Sequence, residues 1–278
     1  MDARFRPAEI ALNAGDIDRV TELLRAEPDL ATARSSRNHP TLLQCLVLVN
    51  PPPAALEPLI RLLADYGAEL TAPLIAATCI DNLRAMNVLL DLGASIEGNG
   101  HWSPLEEALY WGFQASVQLL LERGAAVDNL RKAAGLGRTD LLSGFFDESG
   151  APTAAAGEIA SPFDKLPIAE TVRRDPREIV NNALIYAAAW ERDDAVEELL
   201  RRGAEINAIP AGFDFAGTAL HYAALRGRRE MVDRLLRHGA DPAARDAKIN
   251  NMPEQLAAHD GHAELADYLR QVRQNKEL

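Results

Sequence analysis

Residues 217–241, GTALHYAALRGRREMVDRLLRHGAD, constrain the fold more than any other part of the chain. Thr218 stands where a helix N-cap belongs, because its hydroxyl accepts a backbone N–H that the first turn leaves unsatisfied. The residues after it read as a short helix, and Ala223 and Ala224 let a neighbouring helix approach closely. Gly227 stops that helix, since glycine enters the left-handed region without a Cβ penalty. Met231, Val232, Leu235 and Leu236 then recur on one helical face, and Gly239-Ala240-Asp241 closes the second helix. Such a helix pair cannot bury its apolar face alone, so it needs copies of itself stacked alongside.

Copies of the pattern run through most of the sequence. The first spans 8–31, with Ala14-Gly15-Asp16 between its helices and Val20, Leu23 and Leu24 on the second. Arg4, Arg6, Glu9 and Asp18 suit a terminal copy with one wet face. The next begins at Thr41-Leu42-Leu43-Gln44 and ends at Tyr66-Gly67-Ala68, with Pro51-Pro52-Pro53 as a loop between its helices. A third runs over 72–94, and a fourth from Ser103-Pro104-Leu105-Glu106 to Arg123-Gly124-Ala125. Residues 130–146 keep Ala133-Ala134 and Gly137 but lack a Thr-Pro start. Residues 148–176, rich in Ala, Pro, Gly and Ser, break the period, with a short helix expected around 168–174. The pattern resumes near Ala183-Leu184, continues through the 217–241 stretch, and ends with a polar terminal copy over 252–269.

The T-x-L-H-x-A-A opening and L-L-x-x-G-A-D close of residues 218–241 resemble the ankyrin repeat, apart from Ala219 where that motif has proline. The whole chain is similar to ankyrin repeat proteins of bacterial type. The resemblance implies an all-α solenoid of about eight helix-turn-helix repeats with one long insertion after the fifth. The expected organisation is 1–147 for repeats one to five with an N-terminal cap, 148–180 for the insertion, and 181–278 for repeats six to eight with a C-terminal cap. Proteins of this kind are mostly binding modules without catalysis.

The bulk numbers narrow the partners. A formal charge of −12 disfavours sequence-independent nucleic-acid binding and docking on anionic membranes. Cys45 and Cys79 are the only cysteines and have no partner motif, as in a reducing cytosol. The N-terminus has charges where a signal peptide needs an apolar run, and no apolar run is long enough to span a bilayer. The expectation is a cytoplasmic protein with neither cofactor nor metal. His259-Asp260-Gly261-His262 lacks the clustered ligands of a zinc site.

In ankyrin-like stacks the concave face is built from finger tips and the ends of each first helix. The resemblance places Asn38, His39, His101, Trp102, Tyr110, Trp111, Trp190, Glu191, Phe213, Asp214, Phe215, Arg226, His259 and Asp260 there. All three tryptophans are in that set, and exposed tryptophan is what binding hot spots favour. The opposing expectation is that the insertion covers these rings as a private core. Ser103 and Glu106 read as a capping box. Glu107 falls in a buried row, so an ion pair with Lys132 in the next repeat is expected, against the alternative of a catalytic carboxylate. His221 is expected to bond backbone groups between repeats. Two functions follow: a binding protein with an aromatic concave groove for a protein partner, or a small-molecule binder or enzyme of acid/base, cyclase, isomerase or hydrolase type. The second reading uses Glu107, His101 and Tyr110 as catalytic candidates and the insertion as a lid.

Overall fold

The computed structural model describes residues 4–35, 40–49, 51–100, 102–162 and 168–276. They divide into two compact units, Met1–Ala126 and Val127–Leu278. Among the described residues every regular element is a helix, and the one β feature is an isolated antiparallel bridge between Phe146 and Pro152.

The first unit consists of consecutive helix pairs: α1 (Arg6–Ala14) with α2 (Ile17–Ala26), α3 (Leu42–Leu48) with α4 (Pro53–Asp65), α5 (Thr71–Thr78) with α6 (Leu83–Asp91), and α7 (Pro104–Trp111) with α8 (Gln114–Glu122). The first helices of successive pairs pack in the order α1, α3, α5, α7, and the second helices in the order α2, α4, α6, α8. Leu42, Leu46, Leu59, Leu74, Met86 and Leu105 fill the space between the rows and are sealed from solvent. Pro51 and Pro52 form the expected loop, whereas Pro53 opens α4, where the missing N–H has no partner to lose.

The second unit repeats the arrangement with α9 (Leu130–Leu136) and α10 (Thr139–Leu142), α12 (Pro176–Ala189) and α13 (Asp193–Arg201), α14 (Ala219–Leu225) and α15 (Arg229–Arg237), and α16 (Pro253–His259) and α17 (Ala263–Lys276). The short α11 (Glu170–Arg173) precedes α12, close to the expected short helix. The long helix after it starts at Pro176 rather than near Ala183, because the Asp175 carboxylate caps it by accepting from the Arg177 N–H at 2.8 Å. Helices α9 and α12 pack directly on each other although the intervening segment separates them in sequence.

That segment is stitched down where it is described. Thr153 N donates to Phe145 O at 2.9 Å, and Ile159 N to Arg173 O at 2.9 Å. Arg131 of α9 donates to Glu158 O, and Arg174 pairs with the Glu158 carboxylate at 2.6 Å. Ile159 is fully buried. Gly212 faces it so closely that a Cβ there would lie 3.0 Å from Ile159 Cγ2 and 2.9 Å from Ala160 O. The described part of the insertion is therefore anchored at Ile159, while most of its other residues stay partly or fully exposed.

The glycines end helices as the sequence requires: Gly67, Gly93, Gly124, Gly203 and Gly239 all take φ between 85° and 92°. Gly227 stands between α14 and α15 with φ 66°, and the His262 ring occupies the place of its missing side chain, 2.6 Å from where a Cβ would stand. Asp81 holds the matching junction between α5 and α6 with φ 57°, a conformation unfavourable by roughly 1–2 kcal/mol for a non-glycine residue. Its carboxylate offsets this by accepting from Ser116 Oγ at 2.6 Å and Ser116 N at 3.2 Å, in the first turn of α8. Asp81→Ala should therefore lose about 1–2 kcal/mol in urea unfolding, keeping the strain and losing the cap. Asp81→Gly should lose distinctly less, because glycine removes the strain. Equal losses would contradict a capping role for this carboxylate.

Candidate functional site

In the first unit the chemistry gathers on α7. The capping box forms: Ser103 Oγ accepts from Glu106 N at 3.2 Å, and Glu106 Oε2 accepts from Ser103 N at 2.9 Å. With Pro104 at the first helical position, this fixes the start of α7 and turns Glu107 inward, where it is 4% exposed. Trp111, four residues on, stands on the same helical face. Its Nε1–H donates to Glu107 Oε1 at 2.7 Å, and the Nε1–H of Trp102 donates to Oε2 at 2.5 Å. Tyr110 meets both indoles edge-on, with ring centroids 6.2 Å from Trp102 and 5.1 Å from Trp111. Burial pushes the Glu107 carboxyl pKa up, and the two indole bonds pull it part of the way back.

Glu107 also acts on Cys79, just beyond α5. Burial first, and then the charge of Glu107, pushes this thiol up to about 11. Its Sγ–H donates to Ala76 O at 3.1 Å. Cys79 is thus a protonated, unreactive thiol at neutral pH. Alkylation of the folded protein by iodoacetamide at pH 8 should leave Cys79 unmodified, as read by peptide mass spectrometry. Rapid modification would contradict this environment.

One expectation needs correction here. The tryptophans are not all exposed: Trp102 and Trp190 are each only 8% exposed, whereas Trp111 is 38% exposed. Trp102 is inside because its N–H finds a buried acceptor, which removes the main penalty for burying an indole. The partners of Glu107 are the two indoles, while Lys132 Nζ lies 2.9 Å from Asp128, one turn earlier on its own strand of sequence. Asn38, His39 and His101 lie outside the described residues.

In the second unit the expected site residues mostly satisfy one another. Phe213 is buried between Tyr186 of α12 and Tyr222 of α14, with centroids at 5.3 and 4.9 Å. Asp214 pairs with Lys248 at 2.6 Å, and Lys248 also lies 5.7 Å from the Phe215 ring. Glu191 takes φ 56° at a helix junction and sits 3.8 Å from Arg228. Arg226 follows α14 and is half-buried, whereas His259 and Asp260 are exposed. His221 is buried, its Nδ1 2.9 Å from Thr218 Oγ1 and its Nε2 3.1 Å from Asn251 O, which is the expected structural role. Burial lowers its pKa. Among the described residues no three His, Cys, Asp or Glu side chains come together as a metal site requires. No helix among them is long and apolar enough to cross a membrane.

Ile80 was missed by the sequence reasoning. It follows the Cys79 cap of α5, one residue before the Asp81 junction, as Trp111 precedes Gly112, and it is 46% exposed. Aligning the repeats on their junctions, rather than on aromatic residues, would have found it.

A family model described as ankyrin repeats matches residues 184–277, in three copies. Among curated proteins no sequence matches the chain. Among solved structures, the ankyrin repeat domain of human ASB11 is similar at 19% identity, covering 95% of this chain and 97% of that one, with a TM-score of 0.43. Ankyrin repeats are thus found over residues 184–277, the part of the second unit that holds the C-terminal end of α12 and every helix after it.

Proposed function

We propose that the chain is a protein-binding scaffold whose contact point in the first unit is Trp111, flanked by Tyr110 and Ile80. Ankyrin repeats generally serve protein–protein binding, which sets the class. The observation that carries the finer reading is that Trp111 alone of the tryptophans is substantially exposed while its N–H is fixed at 2.7 Å on Glu107. A large ring held in one orientation before binding loses little entropy on contact, which is the condition for a hot spot. Ile80, 46% exposed just after α5, is taken as the next apolar element of that surface, since α5 and α7 are neighbours in the stack. The enzymatic alternative is disfavoured at Glu107, since both of its oxygens already accept indole hydrogens and a proton transfer would first have to break one of those bonds.

The test is site-specific photocrosslinking from Ile80. A photoreactive residue there should give a covalent adduct with a discrete protein in cells, and the adduct should disappear when Trp111→Ala is added. Absence of any adduct, or one indifferent to Trp111→Ala, would sink the reading.

A further inference from the structure

The segment joining α6 to α7 carries the one Asn-Gly pair in the chain, Asn99-Gly100. Both residues are exposed. Gly100 takes φ 92°, and a Cβ built on it would meet no heavy atom within 4 Å. Its backbone nitrogen is thus reached without a side chain in the way, and glycine turns through conformations closed to other residues. An exposed loop tip of this kind is where the backbone moves most freely.

Other asparagines are placed differently. The side-chain amide nitrogens of Asn82, Asn87, Asn182 and Asn207 donate to backbone carbonyls at 2.9 to 3.2 Å. Asn13 is followed by Ala14 within α1. Asn250 is exposed as Asn99 is, but the N–H of Asn251 after it donates to Asp246 Oδ2 at 2.8 Å. Neither the amide nor the nitrogen that would attack it is held in this way by any bond between described residues at Asn99-Gly100.

We propose that Asn99 is a site of spontaneous covalent change, passing through a cyclic imide with Gly100 to aspartate and isoaspartate, with water as the only co-reactant. The Gly100 nitrogen gives up its proton to solvent and bonds to Asn99 Cγ. The Cγ–Nδ2 bond then breaks, and the amide nitrogen leaves as ammonia. Water opens the imide at one of its two carbonyls. Opening at the side-chain carbonyl gives aspartate in ordinary linkage. Opening at the main-chain carbonyl gives isoaspartate, whose backbone runs through Cβ and Cγ and is one carbon longer. Either product replaces a neutral amide with a carboxylate.

The longer product strains a loop that is tied close by. A Cβ on Gly98 would collide with Trp102 O, so the chain doubles back tightly between these two residues. Trp102 in turn donates its Nε1–H to Glu107 at 2.5 Å. An added carbon between Gly98 and Trp102 therefore acts on the buried indole and its carboxylate. The proposal is independent of the protein-binding reading.

The test is to hold the full chain at pH 8 for weeks and follow its peptides by mass spectrometry. The peptide containing residue 99 should gain the amide-to-acid mass and separate into two forms, one of them isoaspartyl by fragmentation. Conversion at Asn99 should run at least about tenfold faster than at exposed Asn250, whose next residue is not glycine. In nitrogen-15-labelled chain a second Trp102 indole signal should grow with the isoaspartyl fraction. Asn99→Gln, whose longer side chain closes the ring poorly, should keep one peptide form and one Trp102 signal. Intact Asn99 throughout, or conversion no faster than at Asn250, would overturn the proposal. An unmoved Trp102 signal in converted chain would overturn the reach of the change to Glu107.

Discussion

Replacing Glu107 with alanine is expected to destabilise the protein by about 2–4 kcal/mol in urea unfolding, because two indole N–H groups lose their acceptor at once. The Trp102 donor carries more of the loss, since that ring is 8% exposed and water does not replace the carboxylate there as it does at Trp111. The pH dependence gives the sign of the charge effect. The pKa of Glu107 is raised in the folded state, chiefly by burial, so its contribution to stability is fully present below the unfolded carboxylate pKa and lost as pH rises through the folded value. Glu107→Gln should therefore flatten the decline in stability above about pH 4.5, a carboxylate's ordinary range. A Glu107→Ala loss below about 0.5 kcal/mol, the scale of a surface substitution, would mean that the indole bonds do not organise α7.

The second large effect is expected in the insertion. Ile159→Ala should lose about 2–4 kcal/mol, as removal of a fully buried branched side chain does. The neighbours of Ile159 are held by Arg131, Arg173 and the close approach of Gly212, so the site has little freedom to collapse. Excising residues 150–175 should cost more still, visible as lost amide protection in α9 and α12, whose contact this segment borders. A hinged lid would behave differently: either change would leave unfolding midpoints within experimental scatter and alter only ligand binding.

The local signals proved readable, and the tertiary ones did not. Helix ends at Gly67, Gly93, Gly124, Gly203, Gly227 and Gly239 follow from backbone sterics within a few residues, so the sequence contains them in full. The Ser103–Glu106 capping box is equally local. The burial of Glu107 was legible from its row in the repeat, but its partners were not. Lys132 was the nearest opposite charge by register, yet an indole N–H is an adequate donor and carries no charge by which a sequence pattern would reveal it. Trp102 was placed outside for a related reason, since periodicity assigns a finger residue to solvent and is blind to an acceptor that draws it in. The start of α12 was an avoidable error. Asp175-Pro176 with Glu178 two residues later is an N-cap followed by proline at the first helical position, and the alignment to Ala219-Leu220 obscured it. Asp81 and Glu191 in left-handed conformations were hidden too, because their places are ones where the repeat elsewhere has glycine.

The account turns on whether Trp111 is a presented contact or merely a packed ring. Isothermal titration of the protein crosslinked at Ile80 against wild-type chain and Trp111→Ala, with urea unfolding of both, separates these. The account predicts that binding weakens by about 2 kcal/mol or more, as at hot-spot aromatics, while folding stability falls by clearly less than binding does. Unchanged affinity, or a loss of stability as large as the loss of binding, would contradict it.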